Sequence, residues 1–256
     1  MVRNMRITTH EKQKGALMST QKNRTEYLAE IESTINALSE PLFKCYKHII
    51  LYDILTNGTN YAKNNILNFA SLTLTCDNNN NLANISGNLS FEINNDEACQ
   101  SYDNQNSKTI NKEAACELIS KLFYHESSLF ITYNAQLSMC FLNRFFESNG
   151  IVNIFGNTDI LDLLSVYRDR NGFPCKINHA INKYNLITKN ANSDLKKVNS
   201  YYELTKALLK ERDDLAKYVN VFGFVSGEPV SKFDNVTYIR FKNNENYARL
   251  YERLSI

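Results

Sequence analysis

Between His48 and Gly58 the chain reads HIILYDILTNG. Four apolar residues in succession, Ile49 to Tyr52, do not alternate with polar ones. They predict a strand covered on both faces, since a strand with one wet side would alternate. Asp53 follows at once, and Asn57-Gly58 supplies a turn. A carboxylate at the mouth of a buried strand is costly unless something cationic faces it. Asp53 therefore either caps a turn or belongs to a charged site, and the rest of the chain bears on the choice.

On the N-terminal side, residues 1–24 are polar and basic (Arg3, Arg6, Lys12, Lys14, Lys22 and Arg24 against Glu11) and read as a flexible basic arm. Residues 25–42 predict a helix, with Leu28, Ile31, Ile35 and Leu38 at helical spacing and Pro41 as its stop. After the Asn57-Gly58 turn, Ile66 to Thr75 reads as a second strand, residues 77–81 as a turn and Leu89 to Ile93 as a third strand, giving an antiparallel meander. The segment 94–111 is loop-like. Lys112 to Tyr124 predicts an amphipathic helix with Ala115, Leu118, Ile119, Leu122 and Phe123 on one face.

Leu129 to Thr132 predicts a short buried strand that leads through Tyr133-Asn134-Ala135 into a helix bearing Met139, Leu142, Phe145 and Phe146. Ile151 to Phe155 reads as a further strand. Helices are expected over 158–169, 176–184 and 195–210, with a shorter piece through 211–218. Val219 to Phe224 and Val236 to Phe241 read as extended, and residues 242–256 as a C-terminal helix. A meander followed by alternating helix and strand predicts an α/β fold on a mixed sheet.

Lys and Arg number 29 against 27 Asp and Glu, for a net charge of +2. That balance supplies no basic footprint that would by itself argue for nucleic acid. The six cysteines (45, 76, 99, 116, 140 and 175) include no C-x-x-C pair, which argues against a zinc site and for reduced thiols in a cytoplasmic protein. No apolar run reaches the roughly 18 residues of a membrane span, and no secretory signal is read before the first helix.

Three fragments carry a family likeness. LLSVYRDRNGFPCKINHAINKYNL (163–186), ELTKALLKERDDLAKYVNVFGF (203–224) and VSGEPVSKFDNVTY (225–238) occur in order, and together they resemble the C-terminal half of the bacterial DnaQ-like 3′–5′ exonucleases. The likeness extends more weakly over 46–157. It implies a ribonuclease H-like exonuclease domain over 43–241, a mixed five-stranded sheet flanked by helices, with the N-terminal and C-terminal helices as additions.

The resemblance also implies a chemistry: four carboxylates hold two divalent metal ions and a histidine acts as general base. The family's D-x-E-T-T-G stands here as Asp53-Ile54-Leu55-Thr56-Asn57-Gly58, so Leu55 replaces an acid. H-N-A-x-F-D stands as Tyr133-Asn134-Ala135-Gln136-Leu137-Ser138, so Ser138 replaces another. H-R-A-x-D-D aligns with Asn192 to Lys197, so Asn192 replaces the base and Lys197 the last acid; a slip of register would bring Asp194 in beside Asp53. None of His10, His48, His125 and His179 falls where the base belongs.

Asp53, Leu55, Ser138, Asn192 and Lys197 are thus read as vestigial positions, with no metal, no cofactor and no enzymatic activity expected. Lys197 is expected to pair with Asp53, each being otherwise a charge without a partner. The predicted function is binding: a protein-binding inhibitor, adaptor or anti-defence factor. The alternative is a protein that holds single-stranded DNA or RNA through Thr56, Tyr133 and Asn134, Tyr133 serving as a stacking ring; residual exonuclease activity ranks below both. A strand-to-helix turn would equally well require Asn134 and Ala135. Expected partners are a protein or single-stranded nucleic acid, with a homo-oligomer also open, and no membrane.

Overall fold

A computed structural model of the chain describes residues 46–76, 83–95, 109–186, 195–224 and 232–241. In chain order its elements are β1 (His48–Thr56), β2 (Ile66–Cys76), β3 (Ala83–Asn94), β4 (Thr109–Asn111), α1 (Lys112–Phe123), β5 (Ser128–Thr132), α2 (Ala135–Ser148), β6 (Asp159–Asp162), α3 (Leu163–Asn171), α4 (Ile177–Lys183) and α5 (Leu195–Glu211). A 3-10 turn over Leu215–Tyr218 then precedes β7 (Val221–Phe224) and β8 (Thr237–Arg240).

The main sheet has six strands in the order β4-β3-β2-β1-β5-β6. β1, β2 and β3 form the expected antiparallel meander, while β5 runs parallel to β1, and β6 to β5. These five make the ribonuclease H-like arrangement. The three-residue β4 adds a sixth, paired parallel to β3 at the edge. β7 and β8 pair parallel to each other in a separate two-stranded sheet.

β1 is buried on both faces, as its unbroken apolar run predicts. Ile49 and Leu51 enter one core with α3, α5 and the 3-10 turn, and Ile50 and Tyr52 enter the other with α1 and α2. Period-2 alternation then turns Asp53 to the α5 side. α1 starts where Asn111 accepts a hydrogen bond from the Ala114 N–H at 2.8 Å, an N-cap that satisfies one orphan amide of the first turn.

The far end of α5 is clamped. Arg170, at the end of α3 with its side chain 3% exposed, donates to the carbonyls of Leu208 (2.6 Å) and Arg212 (3.1 Å). It also pairs with Asp214 and, at 3.3 Å, with Glu211. One planar guanidinium directed at two carbonyls and two carboxylates fixes geometry in a way a point charge would not.

Two expected elements are corrected. Residues 151–155 form no strand: Asn153 sits in the left-handed region (φ 57°), and Ile154 and Phe155 are buried in the α1–α2 core as part of a loop. The expected helix over 158–169 is instead β6 followed by α3. A four-residue strand buried against a helix start has no periodicity of its own to separate it from the helix. The third strand is also longer than expected, beginning at Ala83. The N-terminal arm and helix, the 77–81 turn, the C-terminal helix, Asn192 and Asp194 lie outside the described residues.

Candidate functional site

β1, β5 and β6 run in parallel, so their carboxyl ends open on the same edge of the sheet, where ligands of open α/β sheets bind. Asp53 is there on the α5 side of β1, and α5 brings two side chains to it. Tyr201 donates its hydroxyl to Asp53 Oδ1 at 2.7 Å, and Lys197 Nζ lies 3.3 Å from Asp53 Oδ2. The expected pair is present. It is partly wet, with the Lys197 side chain 53% exposed and Asp53 16%. The pairing therefore falls in the screened range of about 0–1 kcal/mol rather than that of a buried ion pair.

Tyr201 is the residue that sequence reading missed. Its phenol is almost fully buried; burial, then the Asp53 charge and hydrogen bond, push its pKa well above the ordinary tyrosine value. It stays a neutral donor to the carboxylate. One signal could have found it: Tyr201 follows Lys197 by four residues, so both lie on one helix face.

The other expected positions separate. Leu55 continues the Asp53 side of β1 and is 50% exposed, so it offers an apolar surface beside the carboxylate. Ser138, in the first turn of α2, is buried and lies 3.1 Å from the Tyr52 hydroxyl, on the opposite face of β1 from Asp53. Burial raises the Tyr52 pKa; the Ser138 bond opposes that, and the Asp162 and Asp53 charges add to it.

Thr56 donates to the Gly58 carbonyl at 2.7 Å within the turn. Tyr133 stacks on Tyr201 (centroids 6.0 Å apart, 23° between planes) and donates its hydroxyl to the Cys175 carbonyl. One face of that ring is thus already occupied.

Asn134 has a structural job. It adopts a left-handed conformation (φ 70°, ψ 58°), which asparagine tolerates better than most residues, and its side chain caps nothing. Its N–H and that of Ala135 donate to Asp162 Oδ1 at 2.9 and 3.2 Å. The same oxygen accepts from Leu164 N–H at 3.1 Å, and Ser165 donates to Oδ2 at 2.6 Å. Asp162 thereby caps α3 and ties it to the start of α2. Burial pushes the Asp162 pKa up while these four donors pull it back. An Asp followed three residues later by Ser at a helix start was the available signal.

The donor set does not fit two metal ions. Asp53 has both oxygens engaged, one by the Tyr201 hydroxyl and one by the Lys197 ammonium. Among the described residues no three His, Cys, Asp or Glu side chains are grouped to hold a metal. Mg²⁺ needs carboxylates in near-octahedral arrangement together with substrate oxygens, and none of the described carboxylates joins Asp53. His179 is exposed on α4.

The fold is thus that of an exonuclease-type ribonuclease H-like domain. No protein-family model matches the chain, and no curated protein is significantly similar to it. Among solved structures it is similar to E. coli exonuclease I in complex with a dT13 oligonucleotide: 17% identity, TM-score 0.55, covering 67% of this chain and 43% of that one. It is also similar to the zinc-bound complex of that enzyme with single-stranded DNA (18%, TM-score 0.53, 68% and 42%). A third is the ExoI/SSB-Ct complex (15%, TM-score 0.52, 68% and 43%).

The chain spans less than half the length of these proteins, and identity this low establishes the fold alone. The expectation of a chain that is not an enzyme is corrected by these neighbours. The fold is carried by exonuclease I, an enzyme also captured with product bound. Departures from the motifs do not by themselves establish loss of catalysis on a fold that enzymes share.

Proposed function

We propose that this chain binds single-stranded nucleic acid in the cleft at the carboxyl ends of β1 and β5. The observation that carries the reading is the side-chain set around Asp53: its charge is matched by Lys197, leaving an exposed ammonium and an exposed Leu55 along one cleft. Such a cleft offers a phosphate a cation and a base an apolar surface, the two elements of sequence-tolerant single-strand binding. The likeness to exonuclease I held with dT13 and with single-stranded DNA supports the same ligand class. Thr56, Tyr133 and Asn134 frame the cleft through the backbone and through Tyr201 rather than as direct contacts.

Fluorescence anisotropy with a labelled oligothymidylate tests this. Saturable binding is expected, weakening as salt rises, with a slope of about −0.7 in log K against log salt for each phosphate contacted. Absence of saturable binding at low salt overturns it.

A second reading, action on a protein partner as an adaptor or inhibitor, is favoured by a separate observation. At the opposite end of the sheet a groove lies between the 124–128 and 152–159 segments, and Tyr124 (66% exposed) and Val152 (73% exposed) stand open on it. A photo-crosslinking side chain at Val152 tests it in the native host. One defined protein adduct, missing from the same probe at exposed Glu113, supports a partner there; no adduct removes the reading. Free Cys116, Cys140 and Cys175 are consistent with a reducing cytoplasmic setting, and among the described residues no helix is long and apolar enough to cross a membrane.

A further inference from the structure

Resting on the single-strand reading above, we propose that Lys197 is a built-in cation that receives a backbone phosphate of the strand. Binding of nucleic acid by this chain then needs no divalent metal.

The argument starts from charge. A cleft built of clustered carboxylates repels phosphate until metal ions reverse its sign. Here the Asp53 charge is met by the Lys197 ammonium, and the exposed Lys196 precedes it in the same helical turn. Tyr201 and Tyr133 add no charge, because burial keeps both phenols protonated. The Asp162 carboxylate is enclosed by three backbone N–H groups and the Ser165 hydroxyl.

Geometry then selects Lys197. An ammonium carries three N–H donors; one is directed at Asp53 Oδ2, and with half of the side chain open to solvent the others are available to a ligand. Asp53, fixed from its other oxygen by Tyr201, orients the ammonium without burying it. Lys196 and Lys197 also sit in the first turn of α5, which contains no acid. That is the positive end of the helix, where cations are unfavourably placed and an anion is welcome. A phosphate on Lys197 relieves that repulsion, which Asp53 relieves only in part.

The experiment uses the full chain and a labelled oligothymidylate, measured in excess chelator and in Mg²⁺. Equal affinity in both is expected. Lys197→Met should weaken binding about tenfold or more, as loss of one charge-assisted hydrogen bond does, and should lower the salt slope by about one phosphate contact. Lys197→Arg, which keeps the charge, should recover most of the affinity. Unchanged melting of each variant shows that the fold is intact.

Binding that chelator abolishes, or that Lys197→Met leaves unaltered in affinity and salt slope, overturns the built-in cation while leaving the single-strand reading standing. No binding under either condition overturns both.

Discussion

Lys197 and Tyr201 lie one turn apart on α5, and each takes one oxygen of Asp53, at 3.3 Å and 2.7 Å. A single carboxylate is thus shared between a wet ammonium and a buried phenol. The two contacts are chemically alike and energetically different.

Substitution separates them. Lys197→Met should destabilise the fold by about 0–1 kcal/mol, because a half-exposed ion pair is screened. Tyr201→Phe should cost more, about 1.5–3 kcal/mol, since it removes a hydrogen bond to a charged acceptor from a site water reaches poorly. Urea melts of the two variants check this; a larger loss for Lys197→Met would show the pair to be drier than its exposure indicates.

Metal provides a second check. Chelator should leave the melting temperature of the chain unchanged. Lys197→Asp should lower it in metal-free buffer, because two carboxylates then face each other, and Mn²⁺ should restore part of the loss. A chelator-induced drop in the unaltered chain would reveal ligands beyond those described.

Asp162 should be the least replaceable acid near the cleft. Asp162→Ala strands three backbone N–H groups and a serine hydroxyl together, at about 1–3 kcal/mol for each buried donor left unsatisfied, so a loss above about 3 kcal/mol is expected. Asp162→Asn keeps an oxygen for the three amides and should cost markedly less. Equal losses in the two variants would contradict the hydrogen-bond account.

Acid should weaken the fold partly through His48. Burial, then the nearby His125 and Lys47 charges, hold its pKa below the ordinary 6.5, and the His48 and His125 rings lie 4.9 Å apart. Because the folded chain then binds fewer protons than the unfolded one, His48 contributes stability that is complete above about pH 6.5 and is lost as pH falls through its lower folded value. His125→Gln should raise the His48 pKa and flatten that loss, as read by NMR titration of His48 and melting between pH 5 and 8. An unmoved His48 titration would refute the coupling.

β1 was legible because burial on both faces writes itself as an unbroken apolar run, and the meander because its strands alternate between long polar turns. The Asp53–Lys197 pair was legible only through motif alignment, which placed both residues at one site before any distance was known. β6 was not, since a four-residue buried strand joined directly to a helix has the composition of that helix. Tyr201 was hidden for a related reason: a tyrosine on the apolar face of an amphipathic helix reads as core, and only the fold shows its hydroxyl emerging beside a carboxylate. Asn134 read equally well as a contact or a turn residue, and its positive φ favours the turn.

The Arg170 clamp gives α5 the mechanics of a strut held at one end. From Glu211, beside the clamp, to Lys197 is 14 residues, about 21 Å of helix at 1.5 Å per residue. A tilt of roughly 5° about the clamped end would sweep the lysine end through about 2 Å over that length, enough to part a contact of 3.3 Å. An alteration at Arg170, remote from the cleft and touching nothing in it, would therefore be felt as lost alignment at Asp53.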